Sequence, residues 1–321
     1  MTDKGNSQTK QPTQASIVQR NKLLRRQVRD YIIKMSGFII SVTYLAPLDR
    51  IQKLLQVQNV NSLIPPDQRY KGFMDCVYKV YRDQGLLSFW RGNLASITSS
   101  SFGLLLTMIF KNKLNKLNGS ETFMADHKNL IRLMINGGIS GVLSQLFVYP
   151  LYIVKTRLQT DVGTAPKNRE FYNMNDCIDK LYQKEGLRTF YTGFSLFLLK
   201  NFIYKGIFFG LQDFYLNNKA NRKEQISQIE NFKVASIIVF ITETTCYPLS
   251  LILNRLIVQQ GKSDKLFSSI LQCINWTMKN EGLIGFYRGI LPLYVKTYNS
   301  SILVLLYNYY YQTQLPNRKL L

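Results

Sequence analysis

Ala46-Pro47-Leu48-Asp49 decides how this chain is read, because it returns as Tyr149-Pro150-Leu151-Tyr152 and again as Tyr247-Pro248-Leu249-Ser250. The three prolines, Pro47, Pro150 and Pro248, fall 103 and 98 residues apart. A second anchor follows each of them: Phe89-Trp90-Arg91-Gly92, Phe190-Tyr191-Thr192-Gly193 and Phe286-Tyr287-Arg288-Gly289. Those glycines trail their prolines by 45, 43 and 41 residues. Just ahead of each stands Gln84-Gly85-Leu86, Glu185-Gly186-Leu187 or Glu281-Gly282-Leu283. Three anchors held in register through three copies establish a tandem repeat.

Each repeat holds two apolar segments. The odd ones cover 31–55, 130–158 and 232–258, each with its proline towards the C-terminal end; the even ones cover 94–114, 194–216 and 290–310. A membrane span needs about 20 mainly apolar residues. Proline inside a soluble helix costs about 3 kcal/mol, but membrane helices accept it where neighbours satisfy the freed carbonyl. A solenoid of buried helices does not account for Leu104-Leu105-Leu106-Thr107-Met108-Ile109-Phe110. The expectation is an all-α membrane protein, six transmembrane helices in three tandem repeats forming one integral membrane domain. Its divisions are a basic tail at 1–30 and repeats at 31–118, 119–222 and 223–321.

The charge balance is lopsided, with 41 Lys+Arg against 19 Asp+Glu and a formal +22 over 321 residues. Such an excess asks for an anionic partner: nucleic acid, a phosphorylated ligand or anionic lipid. The cations are spread over repeat-matched loops instead of one patch, which argues against nucleic acid. A mean hydropathy of −0.09 fits short amphipathic spans joined by charged loops. Cys76, Cys177, Cys246 and Cys273 are scattered, with no CxxC pair, so neither a zinc site nor a disulfide framework is expected. The single histidine, His127, stands between Asp126 and Lys128 in a polar stretch and is expected to be a solvated loop residue. No phosphate loop, nucleophile–base–acid set or metal cluster is present, so no enzyme and no cofactor is expected. The N-terminal stretch carries Arg20, Lys22, Arg25, Arg26 and Arg29 without a secretory apolar core; it reads as a retained tail on a surface, a mitochondrial transit peptide being the other reading.

Pro-x-Asp-x-x-(Lys/Arg)-like anchors, a short helix and an aromatic-x-Gly turn in three copies resemble the mitochondrial carrier family. The likeness runs over about residues 31–315 and is strongest to ADP/ATP carriers. It rests on Ala46-Pro47-Leu48-Asp49-Arg50-Ile51-Gln52-Lys53-Leu54-Leu55-Gln56-Val57-Gln58, Tyr70-Lys71-Gly72, Leu87-Ser88-Phe89-Trp90-Arg91-Gly92-Asn93, Phe147-Val148-Tyr149-Pro150-Leu151 and Thr156-Arg157-Leu158. The resemblance implies a multi-pass protein of the mitochondrial inner membrane, with short matrix helices and both termini towards the intermembrane space. It also implies a central cavity closed alternately by two salt-bridge networks.

In that family each odd helix carries an acid two residues after its proline and a base three residues further on, with acids and bases pairing between repeats. Here Asp49 and Lys155 remain, while Gln52, Tyr152, Ser250 and Leu253 replace the other four. The bracing glutamines are Gln56 and Gln159, the third position being Ile257. Lys53 falls one position off the expected face. The opposite gate keeps Asp213 alone; Asn112, Asn115, Leu216, Asn308 and Tyr311 fill the remaining places. Basic nucleotide contacts of ADP/ATP carriers correspond to Val42, Ser99, Lys205 and Lys296, with Tyr204 at the base-stacking position and Lys200 one turn earlier. Glu243 is an intramembrane charge expected to pair with a lysine. The surviving lysines read either as anion contacts or as partners of Glu243 and of helix-end carbonyls. The third-repeat arginine run is reduced to Leu253-Asn254-Arg255.

The helix starts at Gly72, Gly92, Gly193 and Gly289, beside Lys71, Arg91 and Arg288, resemble the family's cardiolipin sites, where free backbone amides meet a phosphate; a plain glycine helix start is the other reading. Two functions are weighed. One is a structural or accessory subunit of an inner-membrane, for example respiratory, complex, suggested by the simultaneous loss of both gates. The other is an antiporter of ADP/ATP or another anionic metabolite.

Overall fold

The computed structural model describes residues 14–117, 127–163, 169–221, 228–262 and 265–314, in two units, Met1–Ile40 and Ser41–Leu321. In the first unit the described residues, 14–40, are helical and form the N-terminal part of α1 (Gln14–Val57). The tail expected at 1–30 is therefore helix from residue 14 on, and residues 1–13 lie outside the described residues.

The second unit repeats one motif three times: a long helix with an internal proline, a short amphipathic helix, a tight turn and a second long helix. Repeat 1 continues from α1 through α2 (Phe73–Gln84) to α3 (Asn93–Leu117). Repeat 2 comprises α4 (His127–Thr160), α5 (Met174–Glu185) and α6 (Phe194–Asn221), and repeat 3 comprises α7 (Gln228–Gln259), α8 (Ile270–Glu281) and α9 (Ile290–Gln314). There is no strand among the described residues, and the fold is all-α. His127, expected in a loop, is the first residue of α4; Asp126 lies outside the described residues. Stretches long and apolar enough to cross a membrane occur at Leu86–Leu114, Phe194–Leu216 and Ile229–Gln259 among the described residues. Polar groups such as Asp49, Arg50 and Lys53 on α1, Lys155 and Arg157 on α4 and Lys296 on α9 dilute the other long helices.

The two anchors of the repeat explain one another. A proline leaves the carbonyl four residues before it without its helical donor. For Pro47 that is Thr43, and the Trp90 indole N–H donates to it at 2.9 Å. For Pro150 it is Leu146, which accepts from the Tyr191 hydroxyl at 3.3 Å. The tyrosines preceding the second and third prolines reach back: Tyr149 donates to the Thr192 carbonyl at 2.5 Å and Tyr247 to that of Arg288 at 2.7 Å.

The glycine after each aromatic marks where backbones meet. A Cβ on Gly92 would stand 2.9 Å from Gln159 Cγ on α4, one on Gly193 2.8 Å from Leu253 on α7, and one on Gly289 2.8 Å from Leu55 on α1. Each repeat thus seats its glycine on the proline helix of the next, and the third seats on the first.

The short helices begin alike. Asp75 accepts from the Lys71 N–H and Asp176 from the Tyr172 N–H, both at 2.8 Å, and Gln272 accepts from the Ser268 N–H at 3.0 Å. These are caps from the third helical residue, made reciprocal in α5 and α8 by Asn173 and Ser269, whose side chains accept from the Asp176 and Gln272 N–H groups. One residue on from each stand Cys76, Cys177 and Cys273, all fully buried. Each precedes its repeat's glycine by 16 residues, so three of the four cysteines are register-matched, not scattered. Burial pushes these thiols up, to about 12 for Cys177 and Cys273, which leaves them protonated packing groups.

Candidate functional site

The odd helices bring their post-proline residues together. Asp49 Oδ2 accepts from Lys155 Nζ on α4 at 3.2 Å, and Asp49 Oδ1 accepts from Lys296 Nζ on α9 at 2.9 Å. The pair expected between Asp49 and Lys155 is thus joined by a third member. The side chains are 24, 16 and 26% exposed, so the cluster is shielded without being dry.

At the second acid position Tyr152 donates to Asn254 Oδ1 on α7 at 3.2 Å, and Asn254 Nδ2 donates to Gln56 Oε1 on α1 at 2.6 Å. Neutral amides and a phenol thereby link α4, α7 and α1. Gln56 joins α1 to α7 through Asn254 and Arg255; Gln159 is buried, its carbonyl oxygen has no partner among the described residues, and its stem lies against Gly92. Lys53, expected off the face, is buried on it. Its ammonium donates to Thr156 Oγ1 at 2.6 Å and lies 5.0 Å over the Tyr152 ring. An aromatic ring at the acid position gives this cation a face to rest on.

Towards the middle of α6, Lys200 lies 5.7 Å over the Phe197 ring and Tyr204 stacks on Phe208. Lys205 is exposed, its Nζ 3.3 Å from where a Cβ on Gly141 would be. Glu243 on α7 is half-buried and makes no ion pair among the described residues. The expected Glu243–lysine bond is therefore absent there, and Lys296 pairs with Asp49. At the other gate Asp213 and Asn112 are exposed, and Asp213 has no ion pair among the described residues. The side chains of Asn115, Asn308 and Tyr311 lie outside the described residues.

Several interactions escaped the sequence reading. Arg255, fully buried, donates to the Gln56 carbonyl at 3.0 Å and to Thr277 Oγ1 at 2.8 Å, and pairs with Glu281 at 2.8 Å. Asp161, also buried, accepts from Arg91 Nη2 at 2.5 Å and from the Phe171 N–H at 3.0 Å, while its carbonyl accepts from Arg50 at 2.9 Å. The available signal was positional: Gln58, Asp161 and Gln259 each follow a repeat proline by 11 residues. All three hold a loop amide, Gln58 that of Tyr70 at 2.6 Å and Gln259 that of Leu266 at 3.0 Å.

At the glycine helix starts, α2, α3, α6 and α9 begin directly after Gly72, Gly92, Gly193 and Gly289. The adjacent arginines are engaged inside the protein, Arg91 with Asp161 and Arg288 with Glu281 at 3.7 Å, while Lys71 is exposed. Beside Gly193 opens a cavity of about 590 Å³ lined by Glu185, Arg188, Thr192, Lys265 and Ser268, with Lys265 paired to Glu185 at 2.6 Å.

Comparison with known proteins follows the same threefold division. The family model described as mitochondrial carrier protein matches residues 27–121, 126–223 and 224–318. Mitochondrial substrate carrier family protein ancA of Dictyostelium discoideum is 33% identical over 285 residues, 88% of this chain and 91% of that one. ADP/ATP translocase 2 of Bos taurus is 31% identical over 284 residues, covering 87% and 95%, and ADP/ATP translocase 4 of Mus musculus is 30% identical over 271 residues, covering 84% of each. These are carriers and not enzymes. With three matched repeats, one proline helix in each and a glycine seat passed from repeat to repeat, the chain belongs to the mitochondrial carrier protein family.

Proposed function

We propose that this chain is a multi-pass inner-membrane protein, similar to ADP/ATP carriers, whose gates have eroded and which serves as a structural, accessory subunit of a larger assembly such as a respiratory complex. The observation that carries the reading is the double bond of Asp49 to Lys155 and Lys296. It consumes a lysine at an anion-contact position and leaves one carboxylate as the whole of that ionic gate. An alternating carrier needs closures that separate when substrate supplies compensating contacts. Tyr152, Asn254 and Gln56 offer a ligand no charge to compete for, and Asp213 at the far gate has no ion partner among the described residues.

In this reading the termini face the intermembrane space and the basic loops face anionic lipid. Cardiolipin occupies the helix starts at Gly72, Gly92, Gly193 and Gly289, a placement supported by the cavity beside Gly193 with Arg188 on its wall. A second reading, exchange of ADP/ATP or another anionic metabolite, is favoured by Lys200, Lys205 and Tyr204 and by the translocase names of relatives.

The deciding experiment is nucleotide uptake into cardiolipin-containing liposomes, with an ADP/ATP translocase run in parallel. Folded protein without exchange, recovered from native membranes with a stoichiometric complex, is the expected result. Exchange at a rate comparable with the translocase overturns the structural reading.

A further inference from the structure

The C-terminal ends of α1, α4 and α7 carry a second ring of bonds, outside every gate position. Asn61 Nδ2, just past α1, donates to the Thr160 carbonyl of α4 at 3.2 Å. Arg157 Nη1 of α4 donates to the Val258 carbonyl of α7 at 2.7 Å. Gln259 Nε2 of α7 donates to the Val60 carbonyl, just past α1. The three bonds run from α1 to α4, from α4 to α7 and from α7 back to α1, so they close a circle. Thr160 and Val258 lie in the last turn of their helices, where carbonyls have no intrahelical donor. Here the missing donors come from the neighbouring helix.

Surroundings separate this collar from the ionic cluster. Its six residues are at most 4% exposed, against 16–26% for the side chains of Asp49, Lys155 and Lys296. In dry surroundings a made hydrogen bond is strong and an unmade one costly, whereas a wetted ion pair is weakened by salt. We infer that the collar of Asn61, Arg157 and Gln259, and not the Asp49 ion pairs, keeps the C-terminal ends of the three proline helices shut. The closure is then insensitive to ionic strength and does not depend on whether the chain transports, so it goes beyond the proposed function without resting on it.

The short helices report on these ends, and the pair on α2 and α5 avoids the Leu266 amide that Gln259 also holds ahead of α8. Tyr78 on α2, Tyr182 on α5 and Met278 on α8 are exposed, whereas the native cysteines are buried. Spin labels are placed on the pairs Tyr78→Cys with Tyr182→Cys and Tyr182→Cys with Met278→Cys, in full-length protein in cardiolipin-containing liposomes. Pulsed distance measurements then compare the parent with Asp49→Asn and with Asn61→Ala/Gln259→Ala. Expected are narrow distributions that neither Asp49→Asn nor high salt changes and that the collar variant shifts to longer, broader distances. Widening in Asp49→Asn, or no widening in the collar variant, overturns the inference. Helicity by circular dichroism confirms that the variant is folded; should the double variant fail to fold, Asn61→Ala alone is read by the same criterion.

Discussion

Two carboxylates of repeat 2 fasten that repeat to its neighbours, and they do so in opposite ways. Asp161 is fully buried against Arg91, itself 10% exposed, and the same segment takes Arg50 on its carbonyl. Glu185, at the end of α5, reaches repeat 3 through Lys265 at 2.6 Å and the Gly261 N–H at 2.9 Å, with side chains 22 and 30% exposed. Gln260 donates to Glu185 as well. The contact towards repeat 1 is thus a dry, multiply bonded charge, and that towards repeat 3 is a wet one. Removing one partner of a buried pair leaves the other uncompensated, whereas an exposed pair exchanges its partner for water.

The sharpest break in this comparison is Asp161→Ala. It strands Arg91 and frees the Phe171 amide, and it is expected to cost roughly 3–5 kcal/mol, read as a large fall in Tm in detergent. Gly193→Ala comes next. Gly193 has φ of 73° and would place its Cβ 2.8 Å from Leu253 Cδ1. Left-handed strain and overpacking together cost about 2–4 kcal/mol, again seen as a lower Tm.

Glu185→Gln is expected to cost about 1 kcal/mol or less. Its signature is in the pH profile. Burial raises the Glu185 carboxyl, but the bonds from Lys265 and the Gly261 N–H outweigh burial and hold it below its usual 4.5. A depressed carboxylate stabilises the fold above its unfolded value and loses that contribution as pH falls. The Tm difference between parent and Glu185→Gln is therefore expected to be constant above about pH 5.5 and to shrink as pH drops through 4.5. Lys265→Ala is the smallest change, a few tenths of a kcal/mol by the same thermal assay. Equal losses from Asp161→Ala and Glu185→Gln erase the distinction between the two contacts.

The repeat and its helices were legible because proline and glycine act through the backbone, which leaves a fixed spacing in sequence. The Asp49–Lys155 bond was legible through the family resemblance, which implies pairing between an acid and a base at set distances from successive prolines. Lys53 was not, since its place on the face depends on Tyr152 presenting a ring instead of a carboxylate. Lys296 reads in sequence either as an anion contact or as a partner of Glu243, because sequence does not reveal that α9 brings it to Asp49. The bonds made by Trp90 and Tyr191 were hidden for a different reason: they end on carbonyls, which carry no residue code. The collar shares that invisibility, as all three of its acceptors are main-chain oxygens.

The seat of Gly289 on Leu55 has a consequence for synthesis. Gly92 and Gly193 each find their seat soon after emerging, on the helix that follows. The seat at Leu55 stays vacant until 234 further residues have been made. A nascent chain cannot finish one repeat before starting another, and its earliest helix is the last to be covered. A chain that stops short of Gly289 leaves that apolar surface without its partner from repeat 3.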